Sequence, residues 1–227
     1  MGTINSLLLL LLLGWAAIGT SVVAQSPPAS TSGKETPAVK VSVASLKSGD
    51  LREYPELSKP LRQLIDTGLS LTSKELGYHY GSCDPATGGM DCSGTVYHTL
   101  QALGLKPPRS SFDMYRWLVD KGVFHSAEGA TRAEDPAFAH LQPGDLLFWQ
   151  GTYDTSGRTP PISHVMIYFG TLKADGKPVV FGASSGRRYR GRAIHGVSVF
   201  DLGLPAAESK SRFVGYGPIP GLAKAKP

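Results

Sequence analysis

The hydrophobic positions of this chain change their spacing about halfway along it. In the first half they recur every three or four residues, which is the spacing of one face of an α-helix. This spacing predicts helices over residues 61–76, 92–105 and 111–121. Gly104 and Gly122 mark the ends of the second and third helices, because glycine readily adopts the left-handed conformation that closes a helix.

Short runs of β-branched and aromatic residues, bounded by glycine, proline and aspartate, replace this spacing in the second half. They predict five strands, at residues 145–149, 164–170, 179–182, 197–202 and 213–216. The segments between the strands are mostly too short for crossover helices, which favours antiparallel pairing. Helices followed by strands are typical of an α+β domain. The pattern therefore predicts N-terminal helices packed on a small antiparallel five-stranded sheet.

The first 24 residues form a separate hydrophobic segment. Leu7–Leu13 is an unbroken leucine run, and Val22-Val23-Ala24 suits cleavage by signal peptidase. We interpret residues 1–24 as a signal peptide, which predicts an exported protein, periplasmic or extracellular and associated with the cell envelope. An uncleaved anchor is the alternative, because the segment approaches the ~20 residues that span a bilayer and carries no lysine or arginine. Only in that case is a membrane partner expected.

Composition shifts divide the rest of the chain. Residues 25–58 are rich in proline, serine, threonine, lysine and alanine, which indicates a flexible linker with one short strand at 39–44. The folded domain is predicted over residues 59–219, and residues 220–227 form a basic, small-residue tail.

The charge of the chain does not indicate a nucleic-acid partner. The net charge is +5, and no block of five like charges occurs. The densest basic cluster is Arg187-Arg188-Tyr189-Arg190 together with Arg192. In an exported protein we interpret this cluster as a solvated loop, or as a surface attracted to an acidic envelope polymer.

Cys92 is the residue with the clearest chemical potential. It follows Asp91, a residue type that caps helices, and therefore lies at the start of the second predicted helix. A helix N-terminus favours the thiolate form of cysteine, and its free N–H groups can stabilise an oxyanion. His164 begins a predicted strand and can serve as the base. Together they predict a cysteine hydrolase.

Cys83 leaves a second interpretation open. Cys83 and Cys92 are the only cysteines, and an exported protein often oxidises such a pair. A disulfide between them would consume the nucleophile, either permanently or as a reversible redox lock. No grouping of histidine, cysteine and aspartate has the spacing of metal ligands, so neither a metal nor another cofactor is predicted.

Five motifs, in this order, resemble the NlpC/P60 family. They are Tyr78-His79-Tyr80-Gly81, Asp91-Cys92-Ser93-Gly94, Pro108-Arg109, the segment 141–148 and the segment 163–170. The resemblance covers residues 61 to 218. It implies a papain-like α+β fold and hydrolysis of peptidoglycan stem peptides, typically at the bond between γ-D-glutamate and the diamino acid.

The resemblance also implies roles for individual residues. Cys92 matches the nucleophile of the family and His164 its base. Tyr78 matches a tyrosine whose hydroxyl lies beside the nucleophile, and Ser93 is the serine of the same motif. These two residues are therefore candidates for binding the oxyanion or the substrate.

The sequence departs from the family pattern at one position. The family usually places a third polar residue on the strand after the catalytic histidine, where it orients the imidazole. Here that position falls on Phe181 or Gly182, and neither side chain can form the required hydrogen bond. His195 is a candidate replacement. The sequence thus predicts a secreted cysteine endopeptidase, and a weakly active or inactive cell-wall peptide-binding module is the alternative. A thiol-dependent acyltransferase or amidase is a third hypothesis.

Overall fold

A computed structural model describes residues 40–222 of the chain. These residues belong to one compact unit. The predicted signal peptide, most of the predicted linker and the last five residues lie outside the described part. Within residues 40–222, no helix combines the length and the hydrophobicity needed to cross a membrane.

Three α-helices occur in the described residues, close to the positions predicted from the sequence. They are α1 (Lys59–Thr72), α2 (Cys92–Ala102) and α3 (Ser111–Asp120). The Asp91 side chain caps α2, and the Ser110 hydroxyl accepts a hydrogen bond from the first turn of α3. Such caps satisfy backbone N–H groups that have no partner inside the helix.

In the described part of the chain, the main sheet has six antiparallel strands, one more than predicted. The strands are β3 (His125–Ser126), β4 (Asp145–Gln150), β5 (Ile162–Thr171), β6 (Pro178–Tyr189), β7 (Arg192–Asp201) and β8 (Arg212–Pro218). Their order is β3-β8-β4-β5-β6-β7. The α+β class is confirmed. The extra strand, β3, has two residues at the sheet edge, too few to show an alternating pattern. A separate parallel pair, β1 (Gly77–Tyr78) and β2 (Gly89–Met90), precedes α2.

The hairpin of β6 and β7 is longer than predicted and folds back over the sheet. Gly186 and Gly196 have φ angles of 97° and 136°, which side chains other than hydrogen rarely allow. Beyond this bend, the N–H of Arg190 at the hairpin tip donates to Asp201 at the far end of β7, at 2.8 Å. The basic cluster that we interpreted as a solvated loop is therefore the distal half of a hairpin.

The sheet buries both of its faces. Side chains alternate along a strand, so Val165, Ile167 and Phe169 of β5 pack against the helices. Met166 and Tyr168 face the opposite side, where a second hydrophobic cluster lies. This alternation determines which side chains can meet around the candidate site.

Residues 40–58 correct the linker prediction. Ser42 pairs with His195 of β7 through backbone hydrogen bonds of 3.1 and 2.9 Å. Leu51 and Leu57 are buried in the core. These apolar residues are isolated and show no periodicity, so the sequence did not reveal their burial. The predicted strand at 39–44 amounts to the single bridge at Ser42, while Leu222 packs on the core within the predicted tail.

Candidate active site

Cys92 lies at the first position of α2, where the helix meets β5. Its side chain is 4% exposed, and its Sγ lies 4.0 Å from the carbonyl oxygen of Ser163. The backbone N–H groups of Val165, Ser93 and Cys92 point towards the sulfur and favour its charged form. The thiol therefore contacts the backbone on both sides of His164.

The carboxylate of Asp91 holds the start of α2 in place. It accepts hydrogen bonds from the N–H groups of Gly81 and Gly94 and from the Ser93 hydroxyl. Arg109 donates to both of its oxygens, at 3.3 and 3.1 Å. Arg109 also donates to Ser93 Oγ at 2.9 Å and to the Gly81 carbonyl at 2.8 Å. The Ser93 hydroxyl is thus part of this network, and Arg109 has a positioning role that its motif alone did not indicate.

The thiol opens into a pocket of about 250 Å³ that includes Tyr78 and Ser93. Burial and, next, the neighbouring Cys92 raise the pKa of Tyr78, so its phenol stays protonated and can donate a hydrogen bond. Tyr80 and Tyr153 meet edge to face at 5.9 Å on the rim, a contact that the sequence did not predict. The structure therefore brings three of the predicted site residues into one pocket.

The imidazole of His164 lies in a different cavity. Its ring packs edge-on against Trp149 at a centroid distance of 5.7 Å, on the sheet face opposite the helices. It lines a cleft of about 760 Å³ whose lining does not include Cys92. His164 is 6% exposed, and its Nε2 has no hydrogen-bond partner within residues 40–222. The backbone of His164 reaches the thiol, but the two side chains open on separate cavities.

The position expected for a third polar residue is filled by a hydrophobic one. Phe181 faces the helices and stacks on Phe169 at 5.0 Å. Gly182 faces the same side as His164, but a Cβ atom there would lie 3.1 Å from Met166 Cγ. The fully buried Met166 thus occupies the space into which a side chain at position 182 would project.

His195 does not take over this role. Its Nδ1 lies 3.2 Å from Ser185 Oγ, and strand β6 separates it from the strand of His164. The prediction of His195 as an orienting residue is therefore corrected. Sequence proximity to a strand gave no information on strand order.

The NlpC/P60 family model matches residues 75–189, slightly more than half of the 227 residues. The chain belongs to the NlpC/P60 family. Its members are generally cysteine peptidases. Comparison with curated proteins gave no match.

Three solved structures are similar to this NlpC/P60 chain, and each comes from a bacterium. A lipoprotein-like NLP/P60 family protein from Staphylococcus aureus subsp. aureus Mu50 is 19% identical over 80% of this chain and 45% of its own, with a TM-score of 0.47. An NlpC/P60 family protein from Bacillus cereus ATCC 10987 is 24% identical over 69% of this chain and 39% of its own, with a TM-score of 0.41. An NlpC/P60 endopeptidase from Photobacterium damselae subsp. piscicida is 17% identical over 66% of this chain and 31% of its own, with a TM-score of 0.35. The chain spans less than half the length of each.

The electrostatics of this NlpC/P60 site reverse one expectation. Burial and, next, the Asp91 carboxylate raise the pKa of Cys92 to about 11, although the helix start and nearby N–H groups act in the other direction. Burial and, next, the Arg187 charge lower the pKa of His164 well below its usual value. Both side chains are therefore neutral at pH 7, in place of the thiolate that the helix start predicts.

This charge state predicts a specific pH profile for thiol alkylation. Only the thiolate reacts, so the rate at Cys92 is expected to rise about tenfold per pH unit between about pH 7 and 9. Iodoacetamide labelling of a Cys83→Ser variant, followed by mass spectrometry, measures Cys92 alone. A preformed ion pair would instead give a rate that is already constant across this range.

Both cysteines are free thiols in the structure. Cys83 is half-buried, and Cys92 is buried. The disulfide considered from the sequence is therefore not formed in the described state. Within residues 40–222, no group of three histidine, cysteine, aspartate or glutamate side chains is arranged to hold a metal ion.

Proposed function

We propose that this protein is an exported cysteine endopeptidase that hydrolyses peptide bonds in peptidoglycan stem peptides. The carrying observation is the position of Cys92, with its sulfur at the start of α2 and three backbone N–H groups directed towards it. N–H groups directed at the sulfur stabilise the attacking thiolate, and the unpaired N–H groups of a helix start are donors for an oxyanion. Membership of a family of cysteine peptidases supports the same chemistry.

The proposed reaction uses Cys92, His164 and Tyr78. His164 takes the thiol proton, and the sulfur attacks the substrate carbonyl to form a tetrahedral oxyanion. The N–H groups at the helix start and the Tyr78 hydroxyl donate hydrogen bonds to that oxyanion. His164 then protonates the departing amine, leaving a thioester on Cys92. Water, activated by His164, hydrolyses the thioester and restores the thiol.

His164 is proposed as the base because its two chain neighbours contact the sulfur. The Ser163 carbonyl lies 4.0 Å from Sγ, and the Val165 N–H points towards it. The imidazole itself has to approach the sulfur from the adjoining cleft. The proposed enzyme is therefore slow in its resting arrangement, since proton transfer requires hydrogen-bonding distance.

A peptide-binding module with little or no turnover is the second candidate. It is favoured by one observation, namely that Met166 fills the space beside Gly182 where an orienting side chain would project. In this alternative, the pocket at Cys92 still holds a stem peptide, but His164 does not activate the thiol.

Digestion of purified cell-wall sacculi separates the two candidates. The full chain is expected to release peptides that mass spectrometry detects, and Cys92→Ala is expected to lower the rate by about 10⁴-fold or more. Cys83→Ala is the matched control and should retain activity. Release of the same peptides by Cys92→Ala would contradict the nucleophile assignment. Binding to sacculi without any release by the unmodified protein would favour the binding module.

A further inference from the structure

The cleft at His164 contains an arginine whose charge is not neutralised by a carboxylate. Arg187 of β6 is half-buried, and its guanidinium lies 4.3 Å above the Trp149 ring. Within residues 40–222 its one hydrogen bond is to the Gly203 carbonyl oxygen, at 3.2 Å, and it forms no ion pair. Burial lowers the pKa of Arg187 to about 10, so the group remains charged at neutral pH.

The surroundings of Arg187 suit an anionic ligand. The cleft of about 760 Å³ is also lined by the cations Arg188 and Lys210, while Asp201 is its one acidic residue among the described residues. Oδ2 of Asp201 accepts the N–H of Arg190, whereas its buried Oδ1 has no partner within the described residues. Four serine residues line the same space and offer further hydrogen-bond donors, namely Ser184, Ser185, Ser209 and Ser211.

The imidazole of His164 is a second polar group in the cleft. His164 lines it, is 6% exposed, and has no hydrogen-bond partner for Nε2 within residues 40–222. Trp149 connects the two groups, because its ring contacts both the Arg187 guanidinium and the His164 imidazole. The cleft therefore combines a cation, a free imidazole nitrogen and enough volume for a peptide residue.

We propose that this cleft is a substrate subsite in which Arg187 binds a carboxylate of the stem peptide. The inference rests on the proposed function and extends it by assigning a specificity-determining residue outside the Cys92 pocket. A guanidinium held over an indole ring, with one nitrogen donating to the Gly203 carbonyl, retains N–H groups that can donate to a carboxylate. The bound group is a peptide residue with a free carboxylate, held beside the base.

Occupation of this subsite also changes the electrostatics of His164. The pKa of His164 is lowered by burial and, in addition, by the charge of Arg187. A carboxylate on Arg187 offsets that charge, so the imidazole accepts a proton more readily when the substrate is bound. The subsite thereby joins recognition of the substrate to activation of the base.

Calorimetric titration of the full chain carrying Cys92→Ala tests the subsite without any turnover. The probes are a synthetic stem tetrapeptide and derivatives in which each carboxylate in turn is replaced by a carboxamide. One amidated derivative is expected to bind about tenfold more weakly than the parent peptide. Adding Arg187→Gln should weaken the binding of the parent peptide by a similar factor. It should also abolish the difference in affinity between the parent peptide and the amidated derivative.

Arg192→Gln is the matched control, since Arg192 is an exposed arginine of the same hairpin outside the cleft lining. It removes the same charge and should preserve the preference for the carboxylate. Arg187→Lys keeps the charge and should retain part of the preference for the carboxylate. An unchanged preference in Arg187→Gln, or no binding of any probe, would overturn the subsite. A failure to digest sacculi, with this preference intact, would instead overturn the endopeptidase.

Discussion

Replacing Asp91 by alanine is expected to lower the free energy of unfolding by about 3 kcal/mol or more. The buried carboxylate accepts hydrogen bonds from Gly81, Ser93, Gly94 and Arg109. Alanine leaves these donors without their acceptor and separates the start of α2 from the preceding loop. For a domain of this size, a loss of this magnitude lowers the melting temperature by roughly 6–12 °C. Thermal unfolding followed by circular dichroism measures the shift.

Asp84→Ala is the control for this prediction. Asp84 is an exposed residue of the same loop, and its carboxylate caps a short turn by accepting the N–H of Ala86 at 2.9 Å. Its replacement should cost about 1 kcal/mol or less. Equal melting temperatures for the two variants would mean that the Asp91 network does not stabilise the domain.

Asp91 also has an opposing effect on the chemistry. Its charge helps to raise the pKa of Cys92, so the network that positions the nucleophile keeps it protonated. An Asp91→Asn variant retains one acceptor oxygen and removes the charge. Stability and thiol acidity are therefore separate consequences of one side chain.

The local features of the site could be predicted from the sequence. Cys92 at a helix start, Asp91 as its cap and His164 on a strand follow from short-range patterns, and the structure has each of them there. Helix caps and alternating strands depend on residues close together in the chain. For this reason, α1 to α3 and five strands of the main sheet were predicted within a few residues, except for the distal half of the β6–β7 hairpin.

The contacts between distant segments could not be predicted. The fold-back of the hairpin places Arg187 on Trp149, and this depends on a bend rather than on a periodic pattern. Leu51 is buried by contacts with elements far along the chain. The pKa of Cys92 was predicted in the wrong direction, because burial is a property of the whole domain and outweighs the local effect of the helix.

The sequence identified the missing polar residue but not what replaces it. Gly182 lacks a side chain, which is evident from the sequence. Only the pairing of β5 with β6 shows that Met166 lies against it. The departure from the family pattern is therefore a packed hydrophobic contact between neighbouring strands rather than an empty position.

Combining Met166→Ala with Gly182→His is expected to increase the rate of peptide release by about tenfold or more. The loss of an orienting group costs up to about 10⁴-fold in a serine triad, so its restoration can recover a part of that factor. A side chain at position 182 projects on the face of His164, and diagonal neighbours across two strands are within reach of an imidazole. The added ring can then bond to His164 Nε2, which has no partner within residues 40–222.

The two single variants make this prediction specific. Gly182→His alone places its Cβ 3.1 Å from Met166 Cγ, so the buried Met166 has to shift before the new ring can lie beside His164. Met166→Ala alone leaves a cavity that costs about 2–5 kcal/mol and supplies no polar group. Neither should be faster than the unmodified protein, so the gain belongs to the pair. The test compares initial rates of peptide release from sacculi for the unmodified protein, the two single variants and the double variant. Melting temperatures check that each variant is folded. If the folded double variant were no faster, the orientation of His164 would not limit turnover, and the distance between its imidazole and the Cys92 sulfur would be the remaining cause of a slow enzyme.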